Sequence, residues 1–238
     1  MLARLLMFAI AFSSCGCASY VTPGGPVNLG DINRPDVKEA ASRKPSPNFP
    51  ARLAVARVQA PGYQSYSFKG YGNGGFTVLA TQELMTDEQT ESIAAWPMIA
   101  GVAPVNRLLL PATMESLDDL RASAAKVQAD VLLIYTIDTS FKVQGRAYAP
   151  MSVLSLGMMP DRDAYITSTA SALFTDVRTG FVYGLSEATA KATGLTNAWA
   201  SSNTVDRKRL EAEQEAFNLL IPQLQKTWVG VAKQYVKQ

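Results

Sequence analysis

Hydrophobic spacing along the chain switches between the period of a strand and that of a helix, and the switches order the elements. Arg52 to Gln59 (RLAVARVQ) alternates and is β-branched, which predicts a strand. Thr86 to Gln89 (TDEQ) supplies a capping residue and first-turn acids, opening a helix that is expected to run to about Ile99. Val105 to Pro111 (VNRLLLP) reads as a second strand stopped by proline. Glu115 to Gln128 (ESLDDLRASAAKVQ) places Leu117, Leu120, Ala124 and Val127 on one helical stripe. Val131 to Asp138 (VLLIYTID) is almost continuously apolar, the pattern of a central strand buried on both faces.

The pattern then changes. Ala164 to Asp176 (AYITSTASALFTD) alternates, Asp176 to Gly180 (DVRTG) has the residues of a tight turn, and Phe181 to Lys191 alternates back. This predicts an antiparallel hairpin turning on Asp176, Arg178, Thr179 and Gly180. Asp206 to Lys237 reads as one long helix, kinked at Pro222, with Leu210, Phe217, Leu220, Ile221, Leu224, Trp228 and Val231 on its core face. The expected fold is therefore α/β. It has a mixed sheet built strand-helix-strand-helix-strand, then the hairpin, with the long C-terminal helix packed on it.

Two stretches fit neither period. Pro61 to Phe76 (PGYQSYSFKGYGNGGF) is aromatic and glycine-rich, but GYGNGG lacks the Lys-Ser/Thr of a phosphate loop and the spacing of a dinucleotide turn. It reads as a mobile loop with a hairpin-like turn at Asn73-Gly74, and Tyr63, Tyr66 and Tyr71 are a candidate sticky surface. Arg146 to Asp163 (RAYAPMSVLSLGMMPDRD) is apolar, with Pro150 and Pro160 near its edges. A barrel strand needs about 9–11 residues of clean alternation, in pairs. This single run alternates only in part, which favours a loop or hairpin that covers the core or meets a partner. Its candidate partner surface is Met151, Val153, Leu154, Leu156, Met158 and Met159.

The first twenty residues belong to neither pattern. A basic start (Met1 to Arg4), an apolar run (Leu5 to Phe12) and small residues to Ala18 make an export signal. The run is too short for a membrane span, which needs roughly 20 apolar residues. Ser19 to about Pro50 is rich in Pro, Gly, Asn and charge and reads as a flexible tether, with a short helix around Pro35 to Arg43.

Composition narrows the chemistry. The 22 basic and 20 acidic residues leave no broad basic excess, which argues against a nucleic-acid partner. The chain has no histidine, and its 2 cysteines, Cys15 and Cys17, both lie in the leader. The body therefore lacks the commonest general base, the commonest metal ligand and any thiol nucleophile. Asp130, Asp138, Asp161 and Asp163 are the carboxylates nearest the sheet ends, and no pair of them shows acid/base tuning. The expectation is a protein that is not an enzyme and takes no cofactor or metal. A disulfide between Cys15 and Cys17 would close a small strained ring, unlike a structural framework.

FSSCGC (Phe12 to Cys17) resembles a bacterial lipobox, in which the cysteine receives diacylglycerol. Phe12-Ser13-Ser14-Cys15 is the favoured frame, Ser14-Cys15-Gly16-Cys17 is the alternative, and ordinary cleavage after Ala18 is a third option. The resemblance implies a signal peptide over 1–14, a lipidated N-terminus and tether over 15–50, and one periplasmic domain over 51–238. Without Asp after the cysteine, it also implies the outer membrane, facing the periplasm.

Arg52 to Gln59, the run ESLDDLRASAAKVQADVLLIYTIDTSF and ALFTDVRTGFVYGLSEATAKA resemble a superfamily of periplasmic lipoproteins. That superfamily includes the curli secretion lipoprotein, the activators of penicillin-binding proteins and the amino-terminal domain of the Tol translocation protein. LSLGMMP together with DVRTGFVYGLSEATA is similar to the rhombotarget-type lipoproteins, although Lys233 to Gln238 does not match their sorting tail. The resemblance implies a lipid-anchored binding or scaffold module for another envelope protein, with a homo-oligomer also allowed. The alternative it implies is an oligomeric secretion or pore component of the outer membrane. Palmitate labelling in cells should be lost in Cys15→Ser and retained in Cys17→Ser; the opposite result assigns the anchor to Cys17.

Overall fold

In the computed structural model the described residues are 23–32, 36–46, 48–65, 68–79, 85–145, 162–196 and 202–236. The strands are β1 (Ala51–Gln59), β2 (Asn73–Gly74), β3 (Thr77–Leu79), β4 (Ile99–Pro104), β5 (Thr113–Met114), β6 (Val131–Gly145), β7 (Arg162–Asp176) and β8 (Val182–Thr196). The helices are α1 (Leu29–Ile32), α2 (Val37–Ser42), α3 (Asp87–Ala94), α4 (Leu117–Lys126) and α5 (Ser202–Tyr235).

The main sheet runs β3-β1-β6-β7-β8, and β4 also pairs with β1. β1 lies parallel to β4 and β6 and antiparallel to β3, while β6, β7 and β8 form an antiparallel meander. This is the mixed α/β sheet that the hydrophobic spacing predicts. Alternation along β6 feeds two cores. Leu133, Tyr135 and Ile137 face α5 and α3, whereas Leu132 and Ile134 face α4 and the segment around Val27 and Ile32. That explains why the β6 sequence is apolar at nearly every position.

The two cores have unequal covers. α5 has 34 residues, about 51 Å of helix, and so matches the 15-residue strands of the meander, about 50 Å each. Ala216, Phe217, Leu220, Leu224, Trp228 and Val231 form its buried stripe. Trp228 donates its indole N–H to the Pro97 carbonyl at 2.8 Å and packs against Phe49 and Phe174 at 6.0 and 5.5 Å between ring centroids. The helix continues through Pro222, which is exposed. α4 has only 10 residues, and its core takes Leu173 from β7 and nothing from β8. The same face of β7 and β8 beyond Leu173 therefore carries polar side chains, with Thr169 bonded to Thr189 and Ser171 to Glu187, each at 2.9 Å.

Four local expectations are corrected. Val105 to Pro111 is not a strand. Arg107–Leu109 forms a 3-10 turn, started by the Asn106 side chain accepting from the Leu108 N–H at 3.0 Å. The strand lies earlier, at Ile99–Pro104, where Gly101, Ala103 and Pro104 mask the β signal and pairing with β1 supplies what propensity does not. α3 ends at Ala94 rather than near Ile99, and its start is closed by a reciprocal Thr86–Gln89 capping box. Asn73-Gly74 is not a hairpin turn but a two-residue strand parallel to Thr113–Met114. Gly74 sits at φ +107, and a Cβ there would run into the Met114 carbonyl. Finally, part of the stretch read as a tether packs on the domain. Val27 and Ile32 are buried, and the Val27 N–H donates to Thr136 Oγ1 at 3.2 Å.

The β7–β8 connection needs glycine at its last turn position. Gly180 has φ +69, and a Cβ would lie 2.8 Å from Arg43 Nη1 and 2.9 Å from Arg121 Nη1. Gly180→Ala should lower stability by about 1–2 kcal/mol in urea titrations. An unchanged midpoint would show that this turn does not constrain the fold.

Candidate functional site

Asp176, Arg178, Thr179 and Gly180 fall on the β7–β8 turn. The buried Asp176 carboxylate accepts from the Arg178 and Thr179 N–H groups, each at 2.9 Å. It also accepts from the Ser46 N–H at 2.7 Å and the Tyr183 hydroxyl at 2.6 Å. Burial, together with the Asp176 carboxylate, pushes the Tyr183 hydroxyl well above the usual tyrosine range. The Arg178 guanidinium reaches the Ser46 carbonyl at 3.3 Å and Asp130 at 3.5 Å, while Arg43 donates to the Gly180 carbonyl at 3.2 Å. The motif thus works as a clamp that holds Arg43 and Ser46 to the hairpin. Its acceptors are occupied by backbone and neighbouring side chains, which makes its role architectural.

The candidate carboxylates are not brought together. Asp130 belongs to this clamp, accepting from the Arg52 N–H at 3.0 Å. Asp138 is exposed eight residues further on, about 26 Å along the strand direction. Asp163 lies at the start of β7, and Asp161 lies outside the described residues. Cys15, Cys17, Tyr66 and the surface from Met151 to Met159 lie outside them too. Among the described residues no group of three or more metal-ligating side chains occurs, and no helix is long and apolar enough to cross a membrane.

Sequence reasoning missed a buried ionic cluster where α5 crosses β1. Arg57 Nη2 donates to Glu213 Oε2 at 2.9 Å, and Arg209 donates to Glu213 Oε1 and, at 3.1 Å, to Asp206. All four side chains are buried. Burial is the largest single influence and would lower the Arg209 pKa, but Glu213, Tyr63 and Asp206 together outweigh it and the net direction is upward. Two guanidiniums against two carboxylates keep the cluster neutral, and Thr139 adds a 3.3 Å bond to Glu213. The signal was present in the pattern. Arg57 and Gln59 share the inward parity of Leu53 and Val55, and Arg209 and Glu213 continue the stripe of Ala216 and Leu220 at helical spacing.

The cluster also supports a surface groove. Arg209 donates to the Tyr63 hydroxyl at 3.2 Å, and the Arg57 guanidinium lies 5.8 Å from the Tyr63 ring centroid. Tyr63 forms part of the lining of an open groove of about 740 Å³ between the glycine-rich loop and the 3-10 turn. Phe68, Lys69, Tyr71, Asn73, Arg107 and Leu110 line it as well. The loop is held by the Ser65 N–H donating to the Phe68 carbonyl at 2.7 Å and by reciprocal Tyr71–Val78 bonds at 2.8 and 2.9 Å. Phe68 is 40% exposed, Tyr71 36% and Leu108, on the 3-10 turn, 86%. Lys69 and Arg107 are the charged groups among its lining residues, and both are positive. The groove therefore offers exposed aromatic and aliphatic surface with positive charge beside it. Tyr63 and Tyr71 were both singled out in the sequence as surface, and Tyr71 is exposed whereas Tyr63 is buried; Phe68, Arg107 and Leu108 were not singled out.

No family model matches the chain, and no curated protein matches it. Solved structures show distant likeness. A lipoprotein from Neisseria meningitidis shares 13% identity at a TM-score of 0.32, covering 68% of this chain and 94% of that one. A neuraminyllactose-binding hemagglutinin homolog from Helicobacter pylori shares 6% at 0.39, covering 85% and 98%. A PelC dodecamer from Paraburkholderia phytofirmans shares 12% at 0.29, covering 75% and 93%. Likeness at this level carries no argument about activity.

Glu213→Ala would leave two buried guanidiniums without their shared carboxylate. The expected loss is about 3–5 kcal/mol of unfolding free energy. A loss below about 1 kcal/mol would mean that the cluster is solvated.

Proposed function

We propose that this protein is an envelope lipoprotein that binds another envelope protein and performs no catalysis. The observation that carries the reading is the groove, where Phe68 and Tyr71 are exposed beside Lys69 and Arg107, with Leu108 exposed on the adjoining 3-10 turn. Aromatic and arginine side chains on a rigid frame are the composition of protein-interaction surfaces, which bury anchors in pockets and ring them with polar groups. The lining charges favour a partner segment that carries carboxylates next to apolar anchors. The leader supports lipid attachment at Cys15, with Cys17 as the alternative. That attachment would place the domain at the outer membrane, facing the periplasm. The apolar surface from Met151 to Met159 is a second contact in this reading.

The secretion or pore alternative receives less support. A barrel strand needs one face free for lipid. The apolar face of the β6–β7 hairpin, with Ile137 and Ile166, is buried, and its other face carries Asp138, Ser140 and Lys142.

A photo-crosslinking residue placed at Leu108 should trap one discrete envelope protein in living cells, and Arg107→Glu should reduce that adduct at least about tenfold. The same probe at exposed Gln225 serves as the control. Equal, diffuse labelling at both positions contradicts the proposal.

A further inference from the structure

We infer that the outer edge of β8 pairs antiparallel with β8 of a second copy of this chain, around a two-fold axis at Thr189. β8 ends the main sheet, and among the described residues its backbone pairs with β7 alone. Edge strands are normally blunted by being short, by proline or by several like charges. β8 spans 15 residues, contains no proline, and carries one glutamate and one lysine.

Those two charges are placed symmetrically. The strand runs from Val182 to Thr196, so its midpoint is Thr189. Glu187 lies two residues before that point and Lys191 two after it. Within one chain they are about 13 Å apart along the strand, beyond ion-pair reach. An antiparallel pair centred on Thr189 sets Glu187 opposite Lys191 of the second copy, and Lys191 opposite Glu187, on the face that α4 leaves bare. The same register sets Gly184 opposite Gly194 and Ala188 opposite Ala190. Both strands pair from Gly184 to Gly194, inside the register shift that leaves Tyr183 out of the ladder with β7, and like charges never meet.

A second observation, on α5, agrees with this axis. The Thr227 hydroxyl is 2.9 Å from that of Ser186 on β8, and Tyr235 packs on Tyr183 at 5.4 Å, so α5 runs antiparallel to β8. Asn218 bonds to Gln89 of α3 at 2.6 Å and marks the opposite flank of the helix. Leu219 is eight residues before Thr227, about 80° around the helix and about 12 Å back along it. That places it on the flank towards the β8 edge, level with Thr189. Leu219 is 42% exposed. The two-fold axis would bring Leu219 of the two copies towards each other above the paired strands. The interaction is isologous, with each copy giving and receiving the same surface.

Charge exchange tests this without relying on one variant's folding. The wild-type full chain, extracted in detergent, should sediment as a dimer. Glu187→Lys alone and Lys191→Glu alone each put like charges opposite one another twice, and should weaken the dimer at least about tenfold. Mixing these two variants one to one restores both opposite-charge pairs, so a heterodimer should form with affinity within about threefold of wild type. A monomeric wild type at about 100 µM, well above a micromolar-range Kd, overturns the inference. So does a dimer indifferent to both reversals, or a mixture that fails to recover.

Discussion

The structure depends on one helix covering one face of a sheet whose strands are as long as the helix itself. α5 lies along β7 and β8 and buries Phe217, Leu220, Leu224 and Trp228 against the face formed by Leu133, Tyr135, Ala172 and Phe174. α4 is too short to do the same on the other face, so it covers β1, the first half of β6 and the end of β7 near Leu173. A sheet with one full cover and one partial cover leaves a polar half-face, and that feature follows from element lengths alone, whereas the β8 edge, unpaired among the described residues, follows from the strand order.

Polar groups then fix how the long helix sits. Near its start, Glu213, paired with Arg209 on the same helix, reaches across to Arg57, so sliding α5 along the sheet would separate buried charges. Near its end, Trp228 is held by the Pro97 carbonyl and Tyr235 by Tyr183. Tyr183 in turn bonds to Asp176, which also holds Ser46, so the N-terminal segment, the hairpin turn and the C-terminal helix meet through one carboxylate. The ionic cluster at the other end supports Tyr63 and, through it, the groove. Surface features on this protein therefore rest on interior polar contacts rather than on loops alone.

The sequence made legible the elements whose pattern is local. The hairpin turn was readable because Asp176 and Gly180 each meet a backbone requirement within five residues, and β6 because a strand buried on both faces leaves a continuous apolar run. β4 was missed because its strand character comes from pairing with β1, while Leu108 and Leu109 mimic a strand and instead leave a 3-10 turn with Leu108 in solvent. Asn73-Gly74 has the composition of a hairpin turn, yet a close approach to Met114 uses its glycine. The ionic cluster joins residues more than 150 positions apart, and only the parity of Arg57 and the spacing of Arg209 and Glu213 hinted at it. The groove depends on two loops meeting, which no local pattern encodes.

The account's central claim is that the β8 edge is an interface, and residue-resolved amide exchange across a dilution series tests it most directly. Amides that alternate along β8 and point away from β7 have no backbone partner among the described residues. They should be protected at high protein concentration and exchange rapidly on dilution, while the intervening amides bonded to β7 stay protected throughout. Rapid exchange of those edge amides at every concentration would contradict the claim.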